Sequence, residues 1–260
     1  MTDSVLVAEH PAGDRVVGQL TLNVEKTLNS LTREMVEIIT DRLEAWADDD
    51  KVVAVFIDGA GEKAFCAGGD VQALRNSCIE TPGGPCEYAE HFFAREYRMN
   101  YLLHTYAKPL ICWGHGVVMG GGLGILSGCR YRVVSERTRI GMPEITIALF
   151  PDVGGSWFLN RMPGQVGRFL ALTSSHINAT DALYCGLGTH YLSNEQKVDF
   201  LAELTNGSGR VMPPRTMSLS ALCSPTAWLA LNNPKHSLSL ISIRLTSGWQ
   251  AVISERFMPA

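Results

Sequence analysis

The 21 residues from Pro109 to Cys129 contain no Lys, Arg, Asp or Glu, and seven of them are glycine. A run of that length could cross a bilayer if it formed one apolar helix. Pro109, His115 and the scattered glycines break such a helix. The stretch reads instead as a buried strand, Leu110 to Trp113, then a glycine turn, then a helix that opens at Gly120-Gly121-Gly122 and continues through Leu123-Gly-Ile-Leu126. A strand without charge is covered on both faces, which is the habit of sheets flanked by helices.

The flanking chain agrees. Val5 to Ala8 and Val16 to Leu22 are short strand-like runs, separated by His10-Pro-Ala-Gly-Asp14, a hairpin signature. Asn23 to Leu31 is irregular. Thr32 reads as an N-cap, with Glu34 in the first turn and Met35, Ile38, Ile39, Leu43 and Trp46 at helical spacing as far as Asp48-Asp-Asp50. Val52 to Ile57 is a second strand buried on both faces. A helix is expected over Val71 to Asn76, a surface loop over Ser77 to Glu87, and an aromatic-rich helix over Tyr88 to Tyr106. Strands are expected over Arg130 to Val134 and Thr138 to Gly141, and helices over Gly164 to Thr173 and Ala179 to Cys185, the last closed by Gly186. The order strand, strand, helix recurs. It predicts an α/β or α+β fold with its chemistry in loops at strand ends. From about residue 206 the texture changes to a Ser/Leu-rich tail with few charges. The expected organisation is a core over residues 1–205 and an extension over 206–260, a short helical cap or partly ordered tail.

Charge and cysteine usage exclude some functions. The net charge is -4 with no basic run, so nucleic acid is not an expected partner. Seven cysteines are widely spaced without a CxxC pair, which argues for reduced thiols and against a disulfide framework or zinc site. The first residues lack a basic segment followed by a long apolar one. The expected location is the cytoplasm or another reducing compartment, without membrane attachment.

Two kinds of group suggest chemistry. The glycine clusters Gly68-Gly69 and Gly120-Gly121-Gly122 each precede a helix and leave backbone N–H groups uncovered, which suits an anion or a developing oxyanion. Alone, the first cluster reads more readily as a plain tight turn. Met142-Pro143-Glu144 opens a short helix with Pro at its first position, and Asp152 follows Phe150-Pro151. Two carboxylates and bare N–H donors suit acyl or proton-transfer chemistry. Against that, Glu144 could simply favour a helix start, and Asp152 could be a turn residue. His115, between glycines, reads as structural, and Cys66 and Cys112 as small buried apolar groups. No Ser-His-Asp arrangement stands out.

Ala64-Phe-Cys-Ala-Gly-Gly-Asp70 and Gly116-Val-Val-Met-Gly-Gly-Gly122 together resemble the two signature segments of the crotonase (enoyl-CoA hydratase/isomerase) superfamily, at the right separation. Phe150-Pro-Asp-Val-Gly-Gly155 resembles more narrowly the 3-hydroxyisobutyryl-CoA hydrolase branch. The likeness covers roughly residues 5 to 205. It implies a spiral of repeated ββα turns that holds an acyl-CoA thioester, with no cofactor beyond the coenzyme A of the substrate, no metal, and a homo-trimer or other homo-oligomer. It implies an oxyanion hole from the N–H groups of Gly69 and Gly121, and catalytic roles for Glu144 and Asp152. It also implies a coenzyme A surface from Lys63, Ala64, Phe65, Ala67, Asp70 and Gly120. Hydratases of the family use two glutamates. Here the first position is Gly124 and the second is Glu144. The departure counts against a standard hydratase and leaves thioester hydrolysis or double-bond isomerisation. The narrower resemblance makes hydrolysis of a short 3-hydroxyacyl thioester, in valine breakdown by family analogy, the leading expectation, with an enoyl-CoA isomerase or hydratase-like lyase as the alternative. A third reading is a non-catalytic acyl-CoA-binding or assembly subunit, because residues beyond 205 do not match the closing helices of the hydrolases.

Overall fold

The computed structural model describes residues 3–205. The extension expected over residues 206–260 lies outside the described residues. The chain opens with the antiparallel hairpin β1 (Val5–Ala12) and β2 (Arg15–Leu22). The strands reach further into the expected gap than the turn residues suggest. Pro11 sits in β1, an edge strand, where a missing N–H costs no ladder bond, and the turn is only Gly13-Asp14, with Gly13 at φ 70°. Helix α1 (Arg33–Asp48) follows. Thr32 caps it by accepting the Met35 N–H at 3.2 Å, and Met35, Ile39, Leu43 and Trp46 form its buried stripe.

Then the repeats begin. Strands β3 (Val52–Gly59) and β4 (Ala64–Cys66) lead into helices α2 (Val71–Glu80) and α3 (Glu87–Thr105). Strands β5 (Leu110–Gly114) and β6 (Val117–Met119) lead into α4 (Gly121–Gly128), and β7 (Tyr131–Val134) and β8 (Arg139–Gly141) follow. Of each strand pair, the first joins a six-stranded sheet in the order β1-β2-β3-β5-β7-β9, and the second joins a three-stranded sheet, β4-β6-β8. All pairings after the hairpin are parallel. This is the expected spiral of ββα turns. Helices α5 (Gly155–Leu159), α6 (Val166–Thr173) and α7 (Ala179–Tyr184), strand β9 (His190–Tyr191) and helix α8 (Lys197–Thr205) complete the described chain.

The uncharged strands are covered as expected. Val55, Ile57 and Cys112 face the main core with α1, α3 and α4. The alternate residues Ala54, Phe56, Ile111 and Trp113 form a second cluster beneath Phe200, Leu201 and Leu204 of α8. Phe200 stacks at 6.1 Å from Phe56 and 5.9 Å from Trp113.

Some expectations are corrected. Helix α2 continues to Glu80, so the loop before α3 is only residues 81–86. Glu144 begins a 3-10 turn, Glu144–Ile147, and Pro143 is its cap instead of its first residue. Strands β4 and β9 and helices α5 and α8 were not expected; β4, β9 and α5 are too short for a periodicity to show.

The irregular Asn23–Leu31 segment has a structural task. Asn29 is fully buried with φ 56°, a left-handed conformation that Asn tolerates better than most residues. Its side chain accepts the Val24 N–H at 2.9 Å and donates to the carbonyls of Ala60 and Ala64, both at 3.0 Å. Leu31 N–H donates to Gly68 O, and Asp70 N–H donates to Leu31 O. The segment therefore clamps the Gly68-Gly69 turn. Asn29→Ala removes three buried hydrogen bonds and orphans their partners. It is expected to destabilise the protein by about 2–4 kcal/mol, measured by urea denaturation. A loss below about 1 kcal/mol would show that the clamp is dispensable.

Candidate active site

Three strand ends of the small sheet converge. Strand β4 runs into Ala67-Gly-Gly69, β6 into Gly120-Gly121, and β8 into Met142-Pro-Glu144. Because β4, β6 and β8 are parallel neighbours, their C-terminal ends lie side by side. The two glycine turns touch: a Cβ on Gly68 would lie 3.4 Å from the Met119 carbonyl and 3.8 Å from the Gly121 nitrogen. Gly68 has φ 108° and Gly120 φ 46°, so both positions also need glycine for conformation. Gly121 is the first residue of α4, where an N–H has no acceptor within the helix. Among the described residues, no backbone acceptor pairs with the Gly69 or Gly121 amide.

Glu144 lies over this turn. Its Oε1 is 3.0 Å from where a Gly120 Cβ would be. The residue is 4% exposed, and Oε2 has no hydrogen-bond partner among the described residues. Burial first, and the charge of Asp152 in addition, push its carboxyl up to about 7. Asp152 is also buried and accepts the Tyr97 hydroxyl at 2.8 Å. Burial raises its pKa, and the Tyr97 hydrogen bond partly opposes the shift. The next two residues, Val153 at φ 45° and Gly154 at φ 84°, are both left-handed. A β-branched residue in that region is strained, a feature that gathers at functional sites.

The structure adds residues that the sequence reading missed. Glu96 of α3 is 2% exposed and packs against Gly121, where an added Cβ would run into its Oε1. That oxygen has no partner among the described residues. Burial, then the charges of Asp152 and Glu144, push Glu96 up to about 8. Tyr97 and Asn100 of the same helix complete the wall. A Cβ on Gly124 would be 3.0 Å from Asn100 Oδ1 and 2.7 Å from Val153 Cβ, and the Asn100 amide has no partner among the described residues. A signal for Glu96 was present: Phe92, Glu96, Met99 and Leu103 form one helical stripe, and a carboxylate on a core stripe asks for an explanation.

A cavity of about 420 Å³ opens beside Asp152, walled by Tyr97, Asn100, Gly124, Val153 and Trp157. The candidate coenzyme A residues divide. Ala64 and Phe65 are buried, and Phe65 belongs to the core. Several backbone groups of this strand are engaged internally: Lys63 O accepts Val117 N–H, Phe65 N–H donates to His115 O, and Ala67 N–H donates to Leu28 O. The Asp70 carboxylate caps α2 by accepting the Ala73 N–H at 3.0 Å, which gives it a structural task. Lys63 remains exposed, and Ala67 half-buried, at the rim. His115 is buried, and its Nε2 pairs with the Gly61 carbonyl at 2.9 Å, a structural role as expected. Cys66 and Cys112 are fully buried. Among the described residues there is no cluster of metal-binding type and no helix long and apolar enough to cross a membrane.

Residues 17–227 match the sequence profile of the enoyl-CoA hydratase/isomerase family. The chain belongs to that family. It is 43% identical over 187 residues to the small ribosomal subunit protein mS47 of Neurospora crassa, covering 71% of this chain and 37% of that one. It is 41% identical over 181 residues to the mitochondrial 3-hydroxyisobutyryl-CoA hydrolase of Xenopus tropicalis, covering 69% and 46%. Among solved structures, the carnitinyl-CoA dehydratase of Mycobacterium thermoresistibile superposes with a TM-score of 0.74 at 40% identity, covering 78% of this chain and 58% of that one. The chain thus spans less than half the length of these two curated relatives.

The buried carboxyls tie stability to pH. Glu96 is raised from its ordinary 4.5 to about 8, so the folded state holds a proton that the unfolded state releases between those values. Stability from this residue is present below about 4.5, declines as pH rises towards about 8, and changes no further above it. Glu96→Gln, which cannot ionise, is expected to gain on the wild type across that window by on the order of a few kcal/mol. Thermal melts of both proteins from acid to mildly alkaline pH check this, and a difference that stays constant with pH would contradict it.

Proposed function

We propose that the chain hydrolyses a short 3-hydroxyacyl-CoA thioester, of the 3-hydroxyisobutyryl-CoA type, to the free acid and coenzyme A. The observation that carries the proposal is Gly124. Any side chain there would overlap Val153 and Asn100, so the first glutamate of the hydratase pair has no room. Two buried carboxyls then adjoin the glycine turns: Glu96, raised to about 8 and so held as the neutral acid near pH 7, and Glu144, which is the one left to act as a base. As a general base it takes a proton from water, the resulting hydroxide adds to the thioester carbon, and the Gly69 and Gly121 N–H groups stabilise the oxyanion. Collapse expels the coenzyme A thiolate, which takes the proton back from Glu144. Direct attack by Glu144 on the carbonyl uses the same residue and the same hole. Asp152, held by Tyr97, receives the 3-hydroxyl of the acyl group in the adjoining cavity. The proposed chemistry calls on no cofactor or metal. Support also comes from the 41% identity to a hydrolase of that name. The matched hydrolase is named mitochondrial, and a thiol-rich chain suits that reducing compartment as well as the cytoplasm. Assembly as a homo-trimer or other homo-oligomer belongs to the same proposal.

The likeness to mS47 favours a second reading, a non-catalytic subunit on the same scaffold. The family's isomerase and hydratase chemistry is a third. Release of free thiol from 3-hydroxyisobutyryl-CoA divides them: only the hydrolase produces it.

Glu144→Gln keeps the shape and removes the base. Thiol release is expected to fall by about 10²–10⁴-fold while coenzyme A ester binding survives; full activity would remove the catalytic role. In the wild type the rate should rise with pH about a midpoint near 7, because the ionised form works and burial raises its pKa to about 7. A rate that falls through that region would oppose a base or nucleophile role. Asp152→Asn should impair 3-hydroxyisobutyryl-CoA more than an unsubstituted short acyl-CoA, and equal losses on both substrates would exclude hydroxyl recognition.

A further inference from the structure

Two thiols outside the site sit together at the surface. Cys78 lies in the last turn of α2 and is exposed, and Cys86 is the half-buried N-cap of the 19-residue helix α3. Cys86 Sγ is 3.0 Å from Ser77 Oγ, the side chain next to Cys78 in the last turns of α2. Only residues 81–86 separate the helices, and Gly83 and Gly84 give that loop freedom to adjust. We propose that Cys78 and Cys86 are a peroxide-oxidisable pair that closes into a reversible disulfide joining the end of α2 to the start of α3.

The roles follow from position. Cys86 sits at a helix N-terminus, surroundings that favour a thiolate, and its pKa is lowered, chiefly by the Ser77 hydrogen bond; the Ser77 hydroxyl donates to Leu74 O beside the neutral thiol and can turn that proton to the thiolate. Cys78 is shifted upward, chiefly by the nearby Cys86 thiol, and keeps its proton. The Cys86 thiolate attacks one oxygen of a hydroperoxide, giving a sulfenic acid and an alcohol, or water when the oxidant is hydrogen peroxide. The Cys78 sulfur then displaces water from that sulfenic sulfur, and the S–S bond forms. Two thiols are oxidised as one peroxide is reduced. Cys112 and Cys129 provide the contrast. They also adjoin, but both are buried, and burial raises the Cys112 thiol well above its ordinary value. Helix α2 contributes no buried residue among Val71–Glu80, so a covalent tie at its far end would change its order more than that of a well-packed helix.

The experiment uses the full chain, treated with limiting hydrogen peroxide and quenched with an alkylating agent. Trypsin leaves both cysteines in one peptide, residues 76–95, while cleavage after Glu80 separates them. The expected result is a 76–95 peptide lacking two hydrogens, a linked pair after cleavage at Glu80, and reversal by dithiothreitol, with Cys66, Cys112 and Cys129 still alkylated after unfolding. Amide exchange in α2 should slow by at least about tenfold on oxidation. Cys78→Ser should lose the link and leave a Cys86 sulfenic acid that dimedone captures. Overturning results are both thiols intact when another cysteine is oxidised, Cys86 oxidised in the wild type without the link, or a bond from either to Cys223 or to a second chain.

Discussion

The close parallel pairing of β4, β6 and β8 is the constraint on which the site depends. It requires backbones to approach without side chains between them. A Cβ on Gly116 would strike the Lys63 carbonyl, one on Gly122 the Cys66 carbonyl, and one on Gly59 the Phe65 carbonyl. None of these clashes involves a flexible tip that could move aside; each is backbone. The glycines therefore do more than permit turns. They set the distance at which one coil of the spiral lies on the next, and so the distance between the two N–H donors and Glu144. The six-stranded sheet behind them supplies the rigid support, and Asn29 ties the first coil to it through Ala60 and Ala64.

Within that frame, the electrostatics oppose stability. Glu96, Glu144 and Asp152 are all buried, the charge of Asp152 raises both glutamates and that of Glu144 raises Glu96 further, and Glu96 and Glu144 each leave an oxygen without a partner among the described residues. Apolar residues of similar size would favour folding. The Val153-Gly154 left-handed pair adds backbone strain at the same place. Unpaired buried acids and strained backbone in one region are what makes this a candidate functional site, and the two glutamates lie against the glycine turns.

Much of this was legible because it is local. The uncharged strands, the Thr32 cap, the helix start at Gly121 and the Asp152 turn each follow from a few neighbouring residues. The spiral of ββα turns followed from the resemblance that the two glycine motifs carry together. What escaped is tertiary. Glu96, Tyr97 and Asn100 matter only because α3 crosses over α4 and the Asp152 loop, and the composition of α3 alone shows an ordinary amphipathic helix with one acid on its apolar side. Asp70 also has a task its motif position did not show: its carboxylate caps the first turn of α2.

The same contacts make Gly124 and Val153 a coupled choice. A carboxylate at position 124 needs the volume that the Val153 side chain now fills and the approach that Asn100 now holds. Val153 in turn keeps its strained φ because it is buried, 4% exposed, against that glycine. Restoring a two-glutamate pair would require both positions to change, since either alone leaves an overlap or a void. Under the proposed hydrolysis, the proton chemistry falls to Glu144 and Asp152 is left to bind what lies in the cavity. One base beside the proposed oxyanion donors, and a second acid held by a tyrosine at the cavity, would match the needs of hydrolysing a hydroxylated thioester better than those of adding water across a double bond, where acid and base must act together on one face.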